Sequence, residues 1–256
     1  MATTIAQELL LVQQWTPTTD YRVGLNGVTW TLSVEFFFYL LFPFLMRWAS
    51  RQSTRPLVVL TTLAWLATGV WSLVLPRVAG HPKLWWTELN PYVNLPQFMI
   101  GMTIALVLKR STTHTAGLAR SLKVAGFVTL LATLACYVAV GEELIGGGFI
   151  PSRPFVVCVP FALLIAGYAA SEVRGGGLCP AWLVILGEWS VALYLVHRDV
   201  VFAHLWPHLD GRLPRPLAAV ILTAAAIAAS GVLYMLVERP AERWLRARGP
   251  EEAVTA

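Results

Sequence analysis

The sequence predicts an all-α fold, a polytopic transmembrane helical bundle of about seven spans, and three observations carry that expectation. Hydrophobic residues make up 57% of the 256, charged residues only 13%, and the mean hydropathy is +0.64. A water-soluble chain of this length needs far more charge to cover its surface. The apolar residues fall in runs near the roughly 20 residues that a helix needs to cross a bilayer. Basic residues gather in the breaks between runs, not in a stripe with interleaved aromatics. The net charge of +5 therefore speaks for membrane topology and against a nucleic-acid partner.

Taken in order, residues 5–15 read as a short interfacial helix, and a polar loop follows to residue 26. No cleavable signal peptide is expected, because residues 1–6 lack a basic start and Gln13 and Gln14 interrupt the next apolar run. Spans are expected at 28–48, 56–75, 92–108, 122–140, 154–170, 182–202 and 216–237. Pro56 falls in the first turn of the second span, where a missing N–H costs nothing. The proline- and tryptophan-rich stretch 76–91 and the glycine-rich stretch 141–153 read as loops. Glu238, Arg239 and Pro240 read as the stop of the last helix, followed by a short basic stretch and a polar tail. Trp85, Trp86 and Trp206 fit interfacial anchoring. Cys136, Cys158 and Cys179 have no metal-type spacing and read as packing residues.

Alternate spans place twelve of the nineteen basic residues on one side, among them Arg47, Arg51, Lys109, Arg110, Lys123 and Arg243. The richer side is expected to be cytoplasmic, which puts the C-terminus inside and the loop before the first span outside. No inverted-topology repeat of the transporter kind is visible.

Two polar clusters interrupt this apolar background. In the first span Glu35 precedes Phe36, Phe37 and Phe38, and steps of four residues place Thr31, Glu35 and Tyr39 on one helical face. A carboxylate in a span is costly, at roughly 2.5–3.5 kcal/mol even on the mildest scales, so such a seam marks an embedded site by default. Helix-dipole stabilisation of a carboxylate near a helix start is the competing explanation. In the sixth span Ser190, Tyr194 and His197 recur at i, i+4 and i+7, with Arg198 and Asp199 directly after. Histidine is the natural general base near neutral pH, and a hydroxyl held against it would be activated for acyl transfer. Equally, His197 and Arg198 could snorkel at the interface and pair with Asp199. On the deduced topology both clusters lie toward the outer side. His204 and His208 straddle Pro207, which is expected to spoil the regular helix that a paired-histidine metal site would need; no metal is expected. His81 and His114 are loop residues with nothing nearby to activate them.

Four stretches together resemble the membrane-bound acyltransferase type-3 family of bacterial O-acyltransferases. Asn26, Trp30, Leu32, Ser33, Val34, Glu35, Phe38, Tyr39, Leu40, Phe42 and Pro43 match its N-x-x-x-W-S-L-S-V-E-x-x-F-Y-L-x-F-P segment, with Thr31 for the first serine. Residues 95–102, LPQFMIGM, resemble its L-P-x-F-x-x-G-M. Residues 189–197, WSVALYLVH, resemble its S-Y-x-L-Y-L-x-H, with Val191 for the tyrosine, and Glu238, Arg239 and Pro240 resemble its closing E-R-P. Each is weak alone; their order and spacing across nearly the whole chain make the match specific.

The resemblance implies transfer of an acyl group, often acetyl from an acyl-CoA co-substrate, onto a hydroxyl of a carbohydrate or cell-envelope glycan. No permanently bound cofactor and no nucleic acid are implied; the partners are the lipid bilayer and the glycan acceptor, and the oligomeric state is left open. Glu35 and His197 become the candidate catalytic residues. Asn26, Trp30, Ser33, Tyr39, Ser190, Tyr194 and Arg198 become candidate substrate-binding residues, and Glu238, Arg239 and Pro240 a structural motif. The chain then reads as one acyltransferase-like transmembrane domain over 1–256, with 241–256 a cytoplasmic tail, in the inner (plasma) membrane. It corresponds to the C-terminal part of a ten-span fold, without the first three spans and the histidine that the family carries on the first. A catalytically inactive membrane scaffold, or a transporter of glycan or lipid precursors, remain the alternatives.

Overall fold

The apolar runs become long helices, and their surfaces stay apolar. The computed structural model describes residues 2–17, 27–78, 85–111, 116–140, 153–173 and 181–247. Helices α1 (Ala2–Leu9), α2 (Trp30–Arg51), α3 (Thr54–Val78), α4 (Pro91–Arg110), α5 (Ala116–Val140) and α6 (Arg153–Glu172) come first. They are followed by α7 (Ala181–Glu188), α8 (Ser190–Val196), α9 (Ala203–Leu209), α10 (Arg215–Leu233) and α11 (Arg239–Arg246). Among the described residues there is no β-strand. Among the same residues six helical stretches are long and apolar enough to cross a membrane. Their outward side chains include Phe44, Val70, Leu131, Val220 and Leu236, each more than 60% exposed, a surface that suits lipid and not water.

The residues group into two compact units, Met1–Leu25 with Trp30–Leu178, and Asn26–Thr29 with Cys179–Ala256. In the first unit Ala49, Leu57, Met102 and Leu106 form the core, with Leu45, Met46 and Phe98 packed on it. Thr61 and Thr103 share a buried hydroxyl–hydroxyl hydrogen bond of 3.0 Å between α3 and α4, the kind of polar contact that ties helices where lipid offers no partner. Arg110, at the end of α4, donates to the carbonyls of Ser50 (3.0 Å) and Ala49 (3.3 Å) at the end of α2. It caps carbonyls left open by that helix and puts positive charge at its negative end. The two helices therefore end on the same side, as the charge distribution predicts. Lys123, early in α5, likewise lies over the ring of Tyr168, late in α6, at 5.2 Å.

Helices α5 and α6 approach closely because glycine lets them. A Cβ on Gly167 would stand 2.8 Å from the Lys123 backbone nitrogen, and one on Gly126 would stand 2.7 Å from the Leu164 side chain. Backbone cannot yield as a side chain can, so Gly167→Ala is expected to cost about 1–3 kcal/mol through overpacking. Unfolding of the detergent-solubilised protein by a graded denaturing surfactant checks this; an unchanged midpoint would remove the close-approach argument.

In the second unit Val196, Val201 and Ala226 form the core, with Leu193, Leu205 and Leu222 around it. Several expectations are corrected here. The sixth span is not one uninterrupted α-helix. It changes step at Trp189 and widens between His197 and Phe202, where the Ala203 amide reaches back five residues to the Arg198 carbonyl. Pro207 does not break the chain but sits inside α9. The segment Glu238, Arg239 and Pro240 does not stop the last helix either. A second wide turn, Tyr234–Glu238, carries the Arg239 amide to the Tyr234 carbonyl, and α11 then continues the helical path to Arg246. A wider turn gives the Pro240 ring room against the preceding carbonyls, so the helix is widened where it would otherwise end.

Two further corrections fall in the first unit. The expected helix over 5–15 ends at Leu9, and Leu11 takes a positive φ of 55°. The stretch 85–89, expected in a loop, is a helical turn leading into α4. Trp85 is not an interfacial anchor but 2% exposed.

Candidate functional site

The start of α2 is fixed by a buried network that begins with short-range sequence choices. Asn90 caps α4: its side-chain oxygen accepts from the Val93 amide at 2.9 Å and its Nδ2 donates to the Trp85 carbonyl at 2.7 Å. Asn94 donates to the carbonyls of Glu88 (2.6 Å) and Asn90 (2.9 Å). Trp85 passes the connection on through its ring N–H to the Gln14 carbonyl at 3.1 Å. The Gln14 amide then donates to Ser33 Oγ at 3.2 Å, and the Trp15 ring N–H donates to the Ser33 carbonyl at 3.1 Å. Trp15 packs on Phe36 and Phe37 with ring centroids 6.0 and 5.4 Å away.

Ser33, a candidate substrate-binding residue, is thus fully enclosed, at 0% exposure. Its hydroxyl holds the chain before α2 in place. The network turns the opposite side of α2 outward. Thr31 is half-buried, Glu35 exposed and Tyr39 67% exposed, so the polar seam is left open along one face. The three phenylalanines that follow Glu35 pack elsewhere: Phe36 and Phe37 lie against Trp15, and Phe38 stacks on Phe98 at 4.9 Å. Trp30 is half-buried at the helix start. Gln14, Trp15, Asn90 and Asn94 carry this arrangement. Only the Asn-Pro pair at 90–91, a cap followed by a first-turn proline, signals any of it in sequence.

In the second unit the wide turn at His197–Phe202 sets the polar geometry. One extra residue in a turn rotates the later side chains by about 100° around the helix axis. Asp199 accepts the Gly27 amide at 2.6 Å, while Arg198 Nη1 approaches the Gly27 carbonyl at 3.4 Å. A Cβ at Gly27 would lie 3.1 Å from that guanidinium. The Arg198–Asp199 pair expected from sequence is present at 3.9 Å, and its main work is to clasp both polar groups of the Gly27 backbone. Asn26, next in sequence, lies outside the described residues, as do His81, His114 and Cys179.

His197 is exposed, and its Nδ1 stands 2.7 Å from the Tyr194 carbonyl and 3.2 Å from that of Leu193. Carbonyl oxygens only accept, so Nδ1 carries a proton, and whenever the ring is neutral its lone pair is on Nε2. The Tyr194 and His197 rings are 5.7 Å apart, and Ser190 is exposed one turn before Tyr194. His204 is held in the same way by the Val200 carbonyl at 2.9 Å. Among the described residues no three His, Cys, Asp or Glu side chains cluster as metal ligands do. At the far end of the unit, Glu238 is half-buried, while Arg239 and Pro240 are exposed. Tyr234 donates its hydroxyl to Glu188 at 3.2 Å.

Long apolar helices carrying polar faces and a histidine of fixed tautomer define a polytopic helical membrane protein with side chains suited to proton transfer. Residues 3–235 match the family model described as an acyltransferase domain. The chain belongs to that family, the acyltransferase type-3 family. It is 33% identical over 277 residues to Acyltransferase MdmB of Streptomyces mycarofaciens, an alignment covering 96% of this chain and 65% of that protein. The chain thus spans 65% of the length of that curated relative. No solved structure matches it.

Proposed function

We propose that the chain serves O-acyl transfer, moving an acyl group, acetyl foremost, from an acyl-CoA to a hydroxyl of a carbohydrate or cell-envelope glycan. In this reading it works as a multi-pass protein of the inner (plasma) membrane with its C-terminus in the cytoplasm. The family match supports the reaction class. One observation supports the chemistry: His197 has Nδ1 against backbone carbonyls, and Nε2 has no partner among the described residues. The acceptor oxygen attacks the thioester carbonyl, its proton passes to Nε2, the new C–O bond forms, and the C–S bond breaks to release the thiol after protonation. Tyr194 and Ser190 flank the ring and would orient the acceptor hydroxyl, while Arg198 and Asp199 hold the turn that presents it. Glu35 and Tyr39, on the open face of α2, would polarise or position substrate groups, with Trp30 and Ser33 at the start of that helix; Asn26 would take part in substrate binding, as the family resemblance implies.

The test is transfer of labelled acetyl from acetyl-CoA to extracted envelope glycans by membranes that contain the protein. His197→Gln is expected to lower the rate on the order of a hundredfold or more without lowering the amount of inserted protein. No transfer to any glycan by the wild type would favour the non-catalytic scaffold, and export of an unmodified glycan would favour the transporter.

A further inference from the structure

We propose that the C-terminal cavity of the second unit binds an organic phosphate. The cavity, about 530 Å³, lies between α7 and α11 at the wide turn Tyr234–Glu238 and is lined by Trp189, Tyr234, Arg239, Arg243 and Arg246 among others. The three arginines fall at i, i+4 and i+7 on one face of α11. This helix lies beyond residue 235, where the family match ends.

Depth and charge both point to phosphate. The stretch Arg215–Arg246 has 32 residues, about 48 Å of helix, against a hydrocarbon core of about 30 Å. Residues 216–237 carry no charge and account for about 33 Å of that length. The arginine face therefore begins where hydrocarbon gives way to headgroups. Arg246 is already paired with Glu242, and Glu188, the other carboxylate on the cavity, takes the Tyr234 hydroxyl. Arg239 and Arg243 form no ion pair among the described residues. Two like charges four residues apart repel, and a phosphate accepting both guanidinium forks would relieve that repulsion with charge-assisted hydrogen bonds. The cavity wall is set as well: the Trp189 ring sits against Gly231, where a Cβ would be 2.9 Å from it, leaving an apolar surface beside the cationic one.

Arginines at a membrane boundary can also rest against bulk lipid, so the experiment must separate a site from an interface. Protein in phosphatidylcholine nanodiscs is titrated calorimetrically with inorganic pyrophosphate and with coenzyme A. In a second arm, phosphatidate is offered in mixed-lipid nanodiscs and the retained lipid is quantified after detergent exchange. Saturable binding is expected in at least one arm, and which arm responds tells whether the phosphate comes from a soluble ester or a lipid. Arg243→Gln should weaken it roughly tenfold or more, and the Arg239→Gln/Arg243→Gln pair further, with unchanged helical circular dichroism. Arg212→Gln, outside the cavity, should leave it unchanged. Binding in neither arm, or equal loss in the Arg212→Gln protein, would overturn the proposal.

Discussion

Replacing Glu35 by glutamine is expected to lower acyl transfer on the order of a hundredfold, the low end of what a positioned acid–base group contributes. Glutamine keeps the size of the side chain and most of its hydrogen-bonding reach, and removes only the charge. Glu35 is exposed on a helix whose other face is fastened by Ser33 and the aromatic contacts of Phe36, Phe37 and Phe38. The exchange should therefore leave helix packing and membrane insertion intact. Rate and membrane abundance are read from the same preparation. A wild-type rate in the variant would remove any chemical role for this carboxylate.

Asn90→Ala should destabilise the first unit by about 2–4 kcal/mol. Loss of a helix cap costs about 1 kcal/mol. The Val93 amide, left without its buried partner, adds about 1–3 kcal/mol, while the Trp85 carbonyl keeps only the 3.2 Å bond from the backbone amide of residue 90. Asn90 is 1% exposed, so water cannot take its place. Because Trp85 continues to Gln14 and Gln14 to Ser33, the damage should reach the start of α2. Asn90→Asp retains the acceptor for Val93 but sets an acceptor against the Trp85 carbonyl, and should fall between wild type and alanine. Surfactant-induced unfolding midpoints rank the three proteins. Alanine within about 0.5 kcal/mol of wild type would show that the network is not what holds this turn.

Hydropathy and charge alone determined that this chain is a helical membrane protein, where most of its spans lie, and that the ends of α2 and α4 share a side. Lipid demands apolar length and internally satisfied backbone whatever the neighbours do, so these features are written locally. The family motifs were legible for the same reason: they are local strings.

Only tertiary structure decided what the polar residues do. Ser33 reads as a substrate-binding hydroxyl until Gln14 is seen to occupy it, and where the three phenylalanines after Glu35 pack is fixed by Trp15 and Phe98. Pro207 and Pro240 read as breaks, yet the chain stays helical through both. A proline's effect depends on whether adjacent turns can widen, and that is settled by packing rather than propensity. The clasp of Asp199 on Gly27 joins residues 172 positions apart, a separation that no local pattern encodes.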